Sequence, residues 1–194
     1  MQNHMFQEAP PSDNCWAEFS IDATFSAELD KLCQQFKNEN MDGVFKAPSH
    51  HHVTLLYGYF TNESNKLMNI VRTHLKTPLT LTVGEIKRGD VSPVILLRIE
   101  PSDELNALFH DLYNNVGRKK HALINGGYDP HITIAASDVA TLDAFQFEKF
   151  KNQFKGRTFT IDSILSLDED QDGKNIVLDE FNSAINTTYN LMFL

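Results

Sequence analysis

An α+β fold of two pseudo-symmetric lobes is predicted by three features of this chain. The pattern His52-Val53-Thr54-Leu55 returns as His131-Ile132-Thr133-Ile134, each copy inside a run of β-formers. The segments around the two copies follow one order at near-equal spacing. The chain has 194 residues, 41% of them hydrophobic, with 14 Phe, enough to core one domain of two lobes.

The elements follow in order. Cys15-Ala17-Phe19-Ile21 alternates as a strand, and Val94–Ile99 is its more buried counterpart. Each leads into an amphipathic helix. In the first, Phe25, Leu29, Leu32, Cys33 and Phe36 share a face, with Thr24 as the expected N-cap. In the second, Leu105, Leu108, Phe109, Leu112 and Val116 do so, opened by Pro101-Ser102-Asp103. A loop and the His-x-Thr strand come next in both halves. A further helix starts at Thr61 (Leu67, Ile70, Val71, Leu75) and again at Thr141 (Leu142, Phe145, Phe150, Phe154). One more strand closes each repeat, Thr80–Ile86 and Thr160–Ser166. The repeats therefore run over about 15–86 and 94–166, inside one domain spanning 15–194. Asn175–Phe181 and Thr188–Leu194 read as a closing pair of strands, and residues 1–14, with Pro10-Pro11, as a flexible arm.

Composition narrows the function classes. Net charge is −9, with 17 Lys+Arg against 26 Asp+Glu, the wrong balance for a protein that tracks duplex DNA by neutralising phosphates. No segment approaches the length of apolar chain that spans a bilayer, and the N-terminus lacks the basic flank and apolar stretch of a secretory signal. The expectation is a soluble, cytoplasmic monomer with no membrane partner. Cys15 and Cys33 are then expected as buried free thiols.

Successive side chains alternate across a strand, so His52 shares a face with Thr54, and His131 with Thr133, while the aliphatic residues point to a core. A pseudo-twofold axis between lobes would bring the two imidazoles together. Imidazole titrates near neutrality, so one ring can accept a proton while the other donates one. That suits in-line displacement at phosphorus, with the Thr hydroxyls donating to the non-bridging oxygens. The scheme needs no metal or other cofactor.

With both motifs in place, and with the lead-in Tyr128-Asp129-Pro130-His131 and the ending Tyr189–Leu194, the chain resembles the 2H phosphoesterase superfamily from about Cys15 to Leu194. That superfamily includes 2′-5′ RNA ligase-like proteins and 2′,3′-cyclic nucleotide phosphodiesterases. The resemblance implies antiparallel sheets with helices packed outside and an active groove between the lobes. It also implies metal-free catalysis by His52, Thr54, His131 and Thr133. The substrates it implies are small nucleotides or short RNA-type oligonucleotides: 2′,3′-cyclic phosphate ends, then 2′-5′ linkages, then cyclic oligonucleotides. Which His is the base stays open, as does reversal of the reaction as RNA ligation.

Further candidates surround the tetrad. Tyr128 is the preferred base contact, because strand parity turns Tyr57 and Tyr59 away from His52 and Thr54 unless a bulge at Gly58 intervenes. Lys87, Arg88 and Lys119 lie in basic connecting segments suited to phosphate contact. In Ser49-His50-His51-His52, His50 and His52 could join His131 in a zinc site, although no convergent carboxylate is evident and exposed loop histidines are the plainer reading. Asp168-Glu169-Asp170-Gln171-Asp172-Gly173, with Asp179 beyond, nearly forms a calcium loop. It lacks the closing Glu and follows a strand, so an acidic hairpin turn is expected. Alternative functions are a nucleotide-binding scaffold without turnover and a calcium-responsive interaction protein.

Overall fold

A computed structural model describes residues 14–39, 45–90, 92–118, 128–161, 163–170 and 174–182. The chain forms β1 (Cys15–Ser20), α1 (Ala23–Glu39), β2 (His52–Tyr59), α2 (Ser64–His74), β3 (Leu79–Arg88), β4 (Val94–Glu100) and α3 (Asp103–Asn115). It continues with β5 (His131–Ala136), α4 (Val139–Ala144), β6 (Thr158–Ile161), β7 (Ser163–Glu169) and β8 (Asn175–Asn182). One eight-stranded sheet runs β6-β3-β4-β5-β2-β1-β7-β8, with every pairing antiparallel. The two motif strands, β5 and β2, meet at its centre.

Each half of the sheet borrows from the other repeat. β3 closes the first repeat in sequence yet pairs with β4 of the second, and β7 pairs back onto β1. The helices cross over too: α1 packs against β5 and α3 against β2. The expected strand Thr160–Ser166 is in fact two. β6 ends at Ile161 beside β3, and β7 starts at Ser163 beside β1, on the other side of the sheet. A single-residue link between such distant places in the order requires the sheet to curl into a half-barrel.

Local chemistry explains most boundaries. Ser102 caps α3 by accepting from the Leu105 N–H, as its sequence foretold. At α1 the cap is Asp22, not Thr24: its carboxylate accepts from the Thr24 and Phe25 N–H groups. Such a cap stabilises a helix by about 1 kcal/mol. The long helix expected from Thr141 is interrupted. Asp138 caps a short α4, the backbone turns extended at Phe145 (φ −78°, ψ 127°), and a 3-10 turn follows at Phe147–Phe150. Aromatic residues restrict helical rotamers, and here the rings have another use. Phe36 meets Phe45, Phe145 and Phe150 at centroid separations of 5.8, 5.1 and 5.0 Å, closing the core beside α1.

The core lies behind the motif strands, where Val53, Leu55, Ile132 and Ile134 are fully buried. Gly58, with φ +76°, sits at a register shift between β1 and β2. The bulge divides the two tyrosines: Tyr57 is exposed, whereas Tyr59 is buried and hydrogen-bonds through its hydroxyl to Ser166 and the Trp16 carbonyl. Cys15 and Cys33 are buried thiols outside any disulfide among the described residues. β7 and β8 pair antiparallel, and the Asp170 carboxylate accepts from the Lys174 N–H, while Asp179 lies 3.8 Å from Arg72; Gln171, Asp172 and Gly173 of the expected acidic turn lie outside the described residues. No helix among the described residues is long and apolar enough to cross a membrane. Residues 1–13, Lys119, Lys120 and the expected final strand lie outside the described residues.

Candidate active site

The alternation anticipated from sequence is what the motif strands display. In β2 and β5 the His and Thr positions are half-buried, and the residues between them are sealed in the core. Val53 pairs with Ile132 in antiparallel register. Continuing that register by one residue each way sets His52 opposite Thr133 and Thr54 opposite His131. The two imidazoles are thus diagonal neighbours on one face, with α-carbons roughly 7–8 Å apart. The sheet brings all four tetrad residues together.

Each motif is clamped by the chain leading into the other. The Tyr128 hydroxyl donates to the Thr54 carbonyl at 3.0 Å, and the His51 Nδ1–H donates to the Thr133 carbonyl at 3.0 Å. The Tyr128 ring stacks on Phe109 (4.3 Å, 6°), and burial raises its hydroxyl far above the ordinary tyrosine range. Its ring face and its hydroxyl are spent inside the protein, so it is placed as a brace for β2 rather than as the free base contact expected. His51, taken from sequence as part of an exposed loop, is buried and also reaches Asp30 at 3.2 Å.

The two rings are held differently. The His131 Nδ1–H donates to the Asp129 carbonyl at 2.8 Å. A carbonyl only accepts, so this contact places a proton on Nδ1. The His52 Nδ1 is shut off from solvent without a hydrogen bond of its own, although the His50 backbone lies near enough to favour a proton there. Its Nε2 lies 3.7 Å from the Glu18 carboxylate. Burial holds the His52 imidazole below the ordinary histidine range, the Glu18 charge pulls it upward, and His50 and His131 depress it further.

Glu18 is the residue that sequence reasoning missed. It lies on β1 opposite Thr54, is 1% exposed, and accepts from the Trp16 indole N–H at 2.9 Å and from the His50 Nε2–H at 2.8 Å. The expectation that no carboxylate converges on the histidines is therefore corrected. Its signal was available: Glu18 is the one charged residue in Cys15–Ser20, on the strand face opposite Ala17 and Phe19 and shared with Thr54. Arg98 was missed in the same way, a lone cation in Val94–Glu100. It lies opposite His131 and 3.6 Å from Asp129.

Of the basic candidates, Lys87 reaches the groove. It lies opposite Leu96 and donates to Asp129 at 2.8 Å, so Asp129 gathers Lys87 and Arg98 beside His131. Arg88, one residue on, faces the other side of the sheet and pairs with Asp143 of α4. It is not brought to the tetrad. Lys119 lies outside the described residues, and its neighbour Arg118 stacks over Tyr113 at 3.5 Å.

The sequence profile of the 2′-5′ RNA ligase superfamily matches residues 24–173. No curated protein matches the sequence. Among solved structures, TT0787 of Thermus thermophilus superposes with a TM-score of 0.58 at 16% identity, over 87% of this chain and 97% of its own. E. coli LigT complexed with ATP gives 0.57 at 17% identity, over 90% and 98%. The same protein complexed with phosphate gives 0.57 at 14%, with the same coverage. At these identities the likeness speaks for the fold.

Proposed function

This chain belongs to the 2′-5′ RNA ligase superfamily, and from that premise we propose that it is a metal-independent phosphodiesterase acting on small RNA-type phosphodiesters. The substrates are 2′,3′-cyclic phosphates, 2′-5′ linked oligonucleotides and cyclic oligonucleotides, in that order. The single observation that carries the proposal is the pairing of β2 with β5, with both His-x-Thr faces half-exposed on one side.

His131 is the general base. Its Nε2 lone pair takes the proton of the attacking hydroxyl or water, whose oxygen bonds to phosphorus. His52 is the general acid: its Nε2–H passes to the oxygen that leaves as the old P–O bond breaks. The proton count balances, and the next turnover needs only re-equilibration of the two rings with water. A matched acid and base each contribute on the order of 10²–10⁴ in rate. Thr54 and Thr133 donate to the non-bridging oxygens where charge builds. Lys87 and Arg98 supply a cationic rim for the phosphate, and their shared partner Asp129 keeps that charge local in an acidic protein.

The test is a panel of 2′,3′-cyclic mononucleotides, 2′-5′ dinucleotides and cyclic oligonucleotides, incubated with chelator-treated protein and resolved by chromatography. Cleavage of at least one class is expected. Tight nucleotide binding with no product across the panel would favour the scaffold function instead. LigT structures with ATP and with phosphate support a groove suited to nucleotides.

A further inference from the structure

We propose that Glu18, His50 and His52 form a reversible binding site for a divalent cation of the zinc class, and that its occupation switches the groove off by sequestering His52. The switching half rests on the function proposed above. The binding half rests on the donors alone.

One donor atom from each residue lies within 4.8 Å of the other two. His50 Nε2 is 2.8 Å from Glu18 Oε1, His52 Nε2 is 3.7 Å from Glu18 Oε2, and the imidazole centroids are 4.7 Å apart. In a tetrahedral zinc shell, with bonds of about 2.0–2.2 Å, neighbouring donors stand roughly 3.4 Å apart. The two His–Glu18 separations fall on either side of that spacing, and no pair of donors in the set is farther apart than 4.8 Å. Two imidazoles and one carboxylate are a nitrogen-rich set that favours zinc, copper, nickel or cobalt over magnesium and calcium, which prefer oxygen.

A second observation points the same way. Glu18 is almost fully buried, and no Lys or Arg among the described residues forms an ion pair with it. Its ion-pair partners are the two imidazoles themselves, so a bound cation would take up the charge of a buried carboxylate through groups already gathered around it. His50 is 42% exposed, which gives a cation a route in from solvent. Its other nitrogen faces Ser49 Oγ at 3.2 Å, the outer contact that orients a ligating imidazole. His52 Nδ1 has no such contact. The affinity is therefore modest, as a switch requires. The site takes Glu18 from β1 where sequence reasoning had offered His131, whose ring is instead tied to Asp129.

The experiment uses the full chain, stripped with chelator and then dialysed, and Co²⁺ as the probe. Visible absorption characteristic of cobalt with mixed nitrogen and oxygen ligands should appear on titration and fade when Zn²⁺ is added. In His50→Ala and His50→Gln the band should weaken at least tenfold in apparent affinity, with phosphodiester turnover in chelator retained when read at each variant's own pH optimum. Zn²⁺ should inhibit the wild-type protein, and both variants should resist it by a similar factor. An absent cobalt band, or one indifferent to both substitutions, overturns the site. A His50-dependent band without zinc inhibition of an active enzyme overturns the switch. Because the band is read without substrate, failure of the phosphodiesterase proposal leaves the binding half separately decided.

Discussion

The two halves of the groove share one strand pattern and differ in charge. Beside His52 and Thr54, β1 places Ser20 and Glu18; beside His131 and Thr133, β4 places Arg98 and Leu96. The charges sit at different places: Glu18 stands opposite Thr54 and lies 3.7 Å from the His52 ring, whereas Arg98 stands opposite His131 itself. His131 is locked by a carbonyl on Nδ1, whereas His52 has no hydrogen bond there and looks at a carboxylate. The two His-x-Thr strands share one pattern, and the flanking strands make their surroundings unlike. The proposed acid–base chemistry uses one ring as base and the other as acid, and unlike surroundings distinguish the two roles.

The largest effects should come from the rings. His52→Ala or His131→Ala should each lower turnover by about 10²–10⁴, with thermal melting little changed because both rings border the groove. Next comes the cationic rim. Arg98→Ala should raise KM about tenfold and flatten the salt dependence of kcat/KM, with kcat nearly unaffected, as expected for uniform binding of a phosphate. Glu18→Gln sharpens the contrast between halves through pH. Glu18 raises the His52 pKa against the lowering by burial, so its removal lets that pKa fall further. An acid must be protonated to act. The alkaline limb of the rate profile, measured in chelator, should therefore move to lower pH, with the acidic limb unmoved. The smallest effect is structural: Tyr128→Phe removes the brace on Thr54 and should cost about 1 kcal/mol in stability, read as a lower denaturant midpoint.

Much of this was legible beforehand because it rests on periodicity. The duplicated His-x-Thr strands, the helix faces of Phe25–Phe36 and Leu105–Leu112, and the Ser102 cap all follow local rules that the structure obeys. What escaped depends on partners far away in sequence. Nothing local says that Thr160–Ser166 divides between two sides of the sheet, because the division is set by β3 and β1. Alternation puts Lys87 and Arg88 on opposite faces, but nothing local says that Lys87 is the one turned to the groove and Arg88 the one turned to Asp143. Glu18 joins His50 and His52 only after β1 docks beside β2, and Tyr128 reads as a free aromatic until Phe109 is found against its ring.

The most direct test of the paired-imidazole account is the pH–rate profile of residual 2′,3′-cyclic phosphate hydrolysis in chelator, compared among wild type, His52→Ala and His131→Ala. The account predicts a bell for wild type, loss of the acidic limb in His131→Ala and loss of the alkaline limb in His52→Ala. A bell of full height retained by either variant would contradict it.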